Sequence, residues 1–286
     1  MDQIQGRLPD FIVIGATKGG TTSLDFYLSL HPEIQMARPK EPRFFVDEPP
    51  PVGGWSLGTE WYRGLFRSDK KICGESSPSY SAWPAVEGVV EKMHSLIPKA
   101  KLIYLVREPL DRLKSSYLMS VRYRGLIRSF SEYLETDQAA RDSSRYGSQL
   151  RNFLRFYPLE QIMVVETADL ETKRNETLER IFCFLGVSPD FRSPLFSHKR
   201  HVAAWHAYPN AAGRRVLNSR LMMLLGHRLS KPIFYHFRNT LMYFFATPRP
   251  STSLTANEYQ ILMDELSCEM NLLRELTGLP LESLGD

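Results

Sequence analysis

Three short apolar runs, Phe11–Ile14, Lys101–Val106 and Gln161–Val165, are rich in Val and Ile, and each gives way to polar or turn residues. Runs of this length without polar alternation belong to strands covered on both faces, as in a parallel sheet. Lys71–Cys73 adds a shorter strand. Elsewhere the apolar spacing becomes helical, over Thr21–Leu30, Ala85–Leu96, Leu110–Tyr123, Tyr146–Phe156 and Asn175–Leu185. Alternating strands and helices predict an α/β chain, a P-loop-like three-layer domain with a central parallel sheet flanked by helices. Ligands are then expected at the carboxyl ends of the strands.

The pattern changes after residue 202. Gly213–Tyr243 is rich in helix formers, carries apolar residues on more than one face and is closed by Pro-Arg-Pro at 248–250. It predicts a helical C-terminal cap region, about 202–254, on the substrate side of a single domain spanning 1–286. Thr255–Gly278 reads as a terminal amphipathic helix stopped by Gly278.

With 43% hydrophobic and 24% charged residues, the 286-residue chain is supplied for a large core. No basic segment followed by an apolar core opens the chain, and 232–246 is too short to span a bilayer and is interrupted by His236, Arg238 and Asn239. A soluble, cytoplasmic protein without a transmembrane segment is expected. Cys73, Cys183 and Cys268 lack the paired spacing of a zinc site and are expected as buried free thiols in a reducing compartment. The net charge of +4 hides an asymmetry: Phe191–Asn257 holds ten Lys and Arg and no Asp or Glu, whereas the remainder has 26 basic against 32 acidic residues. A basic segment suits an anionic cofactor, a charged acceptor, anionic lipid or nucleic acid, and charge alone does not choose among them.

The first strand runs into Gly15-Ala16-Thr17-Lys18-Gly19-Gly20-Thr21-Thr22-Ser23-Leu24. Glycines admit an anion close to the backbone, the following helix aims N–H groups at it, and the Lys adds charge. An ATP-binding loop would place Lys directly after the last Gly. Here Thr21 stands there and the Lys has moved to position 18. A turn that merely needs glycines is the plain alternative. A second anion site follows the strand Lys101–Val106, where Arg107 offers a planar fork of donors and Ser115, about two turns into the next helix, a hydroxyl. An ion pair of Arg107 with Glu108 or Asp111 is the structural alternative.

The displaced Lys before Gly-Gly-Thr-Thr resembles the 5′-phosphosulfate loop of sulfotransferases that use 3′-phosphoadenosine 5′-phosphosulfate (PAPS). Arg107 with Ser115 resembles that family's 3′-phosphate site. Ala37-Arg38-Pro39-Lys40-Glu41-Pro42-Arg43-Phe44-Phe45 resembles the Lys-Glu-Pro-His-Phe-Phe element of heparan-sulfate and other glycan-type members, with Arg43 in place of the His. Gly74–Tyr80 resembles the Ser-Pro-x-Tyr segment beside the acceptor, and Ser144–Leu150, Phe153–Phe156, Gln161–Glu166 and Phe184–Val187 follow in the family's order.

The resemblance implies PAPS as cofactor, its product 3′-phosphoadenosine 5′-phosphate (PAP), and no metal. It implies Lys18, Gly19, Gly20, Thr21, Thr22 and Ser23 around the 5′-phosphosulfate, and Arg107 and Ser115 at the 3′-phosphate. Lys199 and Arg200 fall where the family closes a basic loop over that phosphate. Glu41 becomes the general base, with Lys18 and Lys40 its catalytic partners; Glu75 is a second candidate base. The activity implied is in-line transfer of a sulfuryl group to an acceptor hydroxyl on a sugar, glycolipid or glycosylated metabolite, by a bacterial member of the family. The resemblance is weakest over 202–254, where acceptor specificity is expected. Two other readings stay open. A P-loop kinase would need an acidic residue where the second strand ends in Arg107, and a nucleotide-regulated module would use the acid-free segment to bind anionic lipid or nucleic acid.

Overall fold

The computed structural model describes residues 6–50, 52–66, 69–124, 128–197, 208–217, 219–228 and 231–284. A parallel sheet forms from β1 (Phe11–Gly15), β2 (Ile34–Met36), β3 (Ile72–Ser76), β4 (Lys101–Val106) and β5 (Ile162–Glu166), in the order β2-β3-β1-β4-β5. The helices are α1 (Thr21–Leu30), α2 (Gly58–Arg63), α3 (Val89–Leu96), α4 (Pro109–Met119), α5 (Phe130–Thr136), α6 (Gln138–Asp142), α7 (Tyr146–Leu154), α8 (Thr167–Thr172) and α9 (Arg174–Leu185). They continue with α10 (Ala211–Leu217), α11 (Arg220–Arg228), α12 (Lys231–Phe244) and α13 (Ala256–Thr277). A two-residue ribbon pairs β6 (Tyr208–Pro209) with β7 (Ala246–Thr247) in antiparallel fashion.

The α/β architecture predicted from the apolar runs is the observed one. Along β1 and β4 successive side chains enter opposite layers, as a strand's twofold period requires. Ile12, Ile14, Leu102, Tyr104 and Val106 join Phe44, Phe45, Tyr62, Leu150 and Leu273 on one face. Phe11, Val13, Ile103 and Leu105 join Leu24, Leu28, Leu178 and Phe182 on the other. Three elements depart from expectation. β2 is too short to give a run; β3 continues past Cys73 through Glu75 and Ser76, buried polar residues that break the apolar signal; and the predicted helix Leu110–Tyr123 ends as a π-helical turn over Ser120–Arg124.

The chain divides into two compact units, one of 1–113, 137–201 and 256–286, the other of 114–136 and 202–255. The sheet belongs to the first. The second has its own small core of Leu217, Met222 and Met242, with Leu225, Phe234 and Leu241 packed against it. Among the described residues no helix is long and apolar enough to cross a membrane. The expectation of three buried thiols holds for Cys73 alone, because Cys183 and Cys268 are exposed. Both lie on helices, where a shift of one position turns a side chain from core to solvent.

Candidate active site

β1 crosses the sheet centre, with the chain's next two strands on one side and β4 on the other, so the crevice beyond β1 and β4 is a topological switch point. The loop after β1 fills it. The Ala16 N–H donates to Leu105 O at 2.7 Å, tying the loop to β4, and the Gly19 N–H donates to Ala16 O at 2.8 Å, closing a tight turn. Lys18 (φ 68°) and Gly20 (φ 91°) take left-handed backbone. For a non-glycine residue such as Lys18 that conformation costs about 1–3 kcal/mol, a strain that collects at functional sites. A Cβ on Gly19 would lie 2.9 Å from Ala16 O and 3.0 Å from Leu105 O, both backbone atoms that cannot retreat. Gly20 caps α1 without a side-chain hydrogen bond, so the first-turn N–H groups are turned toward whatever lies beyond the loop.

Two side chains distant in sequence, Thr167 and Arg112, hold this loop, and neither was read as a site residue from the sequence. The Thr167 hydroxyl, at the start of α8, lies 2.7 Å from Gly19 O and 3.0 Å from Val106 O, sharing its proton between the loop and β4. The Thr17 hydroxyl donates to Pro78 O at 3.3 Å. Arg112 is 1% exposed. Its guanidinium donates to Thr17 O at 3.3 Å, Ser144 Oγ at 2.5 Å and Ala140 O. Burial of a cation is tolerable there because its fork of donors meets three acceptors. Lys114 is half-buried.

Arg107 leaves β4 with its backbone clamped by Tyr146, whose hydroxyl donates to Arg107 O at 2.9 Å. Its side chain makes the Asp111 ion pair raised as an alternative, at 3.5 Å between partly exposed groups. A pair of this kind is worth less than about 1 kcal/mol and leaves the guanidinium able to turn to a stronger anion. Glu108 is occupied otherwise, accepting from the N–H groups of Leu110 (2.9 Å) and Asp111 (2.6 Å) as an N-terminal cap of α4. Ser115 is half-buried on α4.

Lys18 is half-buried, and its ammonium is held below the usual lysine range, first by burial and then by the cations Arg107 and Arg112, while Glu41 acts in the opposite direction. Three charged groups from different elements are thus within electrostatic reach of the loop lysine. The excess is positive, which suits an incoming anion. Glu41, also in left-handed backbone (φ 58°), pairs with Lys40 Nζ at 2.8 Å and keeps 37% of its side chain exposed.

Glu75 is the opposite case. It is 0% exposed, with Tyr62 and Tyr80 hydroxyls donating to Oε1 at 2.7 and 2.9 Å and Ser77 Oγ donating to Oε2 at 2.6 Å. Burial pushes its carboxyl up to about 7 against the pull of these three donors. Ser77 Oγ and Tyr80 OH in turn accept the N–H groups of Arg43 (3.1 Å) and Phe45 (3.4 Å). Glu75 therefore anchors the backbone that follows Glu41. Lys199 and Arg200 lie outside the described residues. A cavity of about 490 Å³ lies at the other end of the strands, lined by Leu8, Phe11, Ile72, Ile97, Lys101 and Leu185, away from all these groups.

The model of the sulfotransferase domain matches residues 8–203. The chain belongs to the sulfotransferase family. It is similar to mouse heparan sulfate glucosamine 3-O-sulfotransferase 6, 30% identical over 215 residues that make up 72% of this chain and 57% of the mouse protein. It is also similar to human bifunctional heparan sulfate N-deacetylase/N-sulfotransferase 2, 28% identical over 206 residues, 64% of this chain and 22% of that one. This sulfotransferase chain therefore spans little more than half the length of the first relative and about a fifth of the second. Among solved structures it superposes on a sulfotransferase from Alicyclobacillus acidocaldarius with a TM-score of 0.60 and 25% identity, covering 80% of this chain and 99% of that one. It shares its fold with a mouse sulfotransferase complexed with PAP, at a TM-score of 0.51 and 14% identity over 96% and 89% of the two chains.

The residues present fit the nucleotide that such enzymes use. The Gly19 backbone leaves no room for a side chain between loop and sheet, α1 offers its first-turn N–H groups, and Lys18 and Arg107 supply charge at the loop and at the end of β4.

Proposed function

We propose that this sulfotransferase transfers the sulfuryl group of PAPS to an acceptor hydroxyl, by in-line displacement, on a sugar of a glycan, glycolipid or glycosylated metabolite. The observation that carries the reading is the loop after β1, which is tied to β4 through Ala16 N–H and Leu105 O and holds Lys18 in left-handed backbone just ahead of α1, at the switch point of the sheet. The mouse structure complexed with PAP supports the nucleotide, and the heparan sulfate relatives support a sugar acceptor.

PAPS, when bound, supplies a sulfuryl group already activated as a mixed anhydride. The remaining chemistry falls to the chain. Glu41 takes the acceptor proton, since it keeps an exposed carboxylate, whereas both oxygens of Glu75 are engaged inside the protein. Lys40 holds Glu41 in place at 2.8 Å. Lys18, the N–H groups of Gly20, Thr21 and Thr22 and the Ser23 hydroxyl offset negative charge at the loop, which the Gly19 N–H shapes through its bond to Ala16 O; such a preorganised donor set supplies much of an enzyme's rate. Arg107, Ser115, Lys199 and Arg200 receive the 3′-phosphate.

Calorimetric titration with PAP and with ADP, each with and without Mg²⁺, tests the reading. Binding that requires the 3′-phosphate, is indifferent to Mg²⁺ and is lost in Arg107→Ala is the expected result. Equal or tighter binding of ADP with Mg²⁺ would replace the sulfotransferase assignment of this site with a kinase-like one.

A further inference from the structure

We propose that the second compact unit docks, through α11 and α12, on a bilayer surface carrying anionic headgroups. Along α12, Ile233, Phe237 and Phe244 fall on one helical face and are 59%, 43% and 81% exposed. Met242, on the opposite side of the same helix, is 1% exposed in the core of that unit. The inward face is satisfied while a second apolar stripe is left to water. α11 repeats the arrangement, with Met222 buried and Leu221 and Leu224 66% and 58% exposed. Helices of water-soluble domains turn such side chains inward, and contiguous exposed apolar faces mark interaction sites.

Charge selects the occupant. The stripe lies within 202–255 of the second unit, which has seven Lys and Arg and no Asp or Glu, and exposed Arg220 and Arg228 flank the leucines of α11. A second copy presenting this face would bring cations against cations with no acidic partner from the segment. Nucleic acid would match the charge but leave Ile233, Leu221 and Phe244 in water, because phosphates offer them nothing. An anionic bilayer satisfies both features, with headgroups pairing the arginines and the acyl boundary receiving the Phe, Leu and Ile side chains. Insertion is shallow, since neither helix is long and apolar enough to span.

Flotation of the full chain with phosphatidylcholine vesicles, alone or mixed with phosphatidylglycerol, tests the proposal. Binding is expected for the mixed vesicles only, weakening as salt rises. The double variant Phe237→Ser/Phe244→Ser should lose tenfold or more in vesicle affinity, and Arg220→Gln/Arg228→Gln roughly fivefold per residue. All four positions are exposed, and unchanged PAP titration and circular dichroism would verify that each variant is folded. Failure to float with mixed vesicles would overturn the proposal, as would unaltered binding by the Phe variant. Two further results would replace the lipid with another partner: tighter binding to duplex DNA that ignores the Phe changes, or a dimer in sedimentation that the Phe variant abolishes.

Discussion

Replacing Glu75 by Gln separates the stability of this protein from its positioning of Glu41. The Glu75 carboxyl is fully buried and raised from 4.5 to about 7, chiefly by burial. Between those two pH values the unfolded chain gives up the proton and the folded chain retains it. The contribution to stability is therefore complete below about 4.5, falls as pH rises to about 7 and is level beyond. The shift corresponds to about 3 kcal/mol at 1.36 kcal/mol per unit. Gln does not titrate, so this slope should vanish. Its amide oxygen still accepts from Tyr62 and Tyr80, but its NH₂ meets Ser77 Oγ, which already accepts from Arg43 N–H and loses the acceptor for its own proton. That loss costs about 1–3 kcal/mol at any pH. Urea unfolding can be followed by tryptophan fluorescence, because Trp55 and Trp61 pack against Phe44, which stacks on Tyr62. Between pH 5 and pH 8, wild type should lose about 2–3 kcal/mol relative to Glu75→Gln, while sulfuryl transfer by the variant falls because the Arg43 anchor is broken. Parallel stability curves for the two proteins across this range would refute the reasoning.

Lys18→Ala should lower turnover about 10²–10³-fold with little change in urea midpoint, since the lysine is half-buried at an energetic disadvantage; steady-state kinetics and unfolding on the same preparation check both halves. Gly19→Ala sets a methyl 2.9 Å from Ala16 O and 3.0 Å from Leu105 O, so PAP binding measured by calorimetry should be lost and the melting temperature should drop. Thr167→Val keeps the shape but removes the hydroxyl shared by Gly19 O and Val106 O. A loss of about 1–2 kcal/mol in unfolding free energy is expected, together with weaker PAP binding; an unchanged PAP affinity would show that the loop does not depend on this tether.

The chain's local patterns determined a good deal by themselves. The apolar runs of β1, β4 and β5 and the helical spacing of α1, α7, α9 and α13 are legible because each period is read within a few residues. The loop after β1 is legible for the same reason, since strand, glycines, Lys18 and helix are consecutive. β3 was only half visible, because a strand that buries Glu75 and Ser76 does not look apolar. The supports of the site were hidden altogether. Arg112 reaches Thr17 across 95 positions and Thr167 reaches Gly19 across 148, and nothing near either residue announces its partner. The sequence likewise kept Glu75 as a second candidate base after Glu41, and only packing left Glu41 partly exposed beside Lys40 and closed Glu75 beneath two tyrosines and a serine. Residue type and local order are written along the chain, whereas burial, pKa and hydrogen-bond partnership are properties of surroundings that exist only once distant segments have folded together.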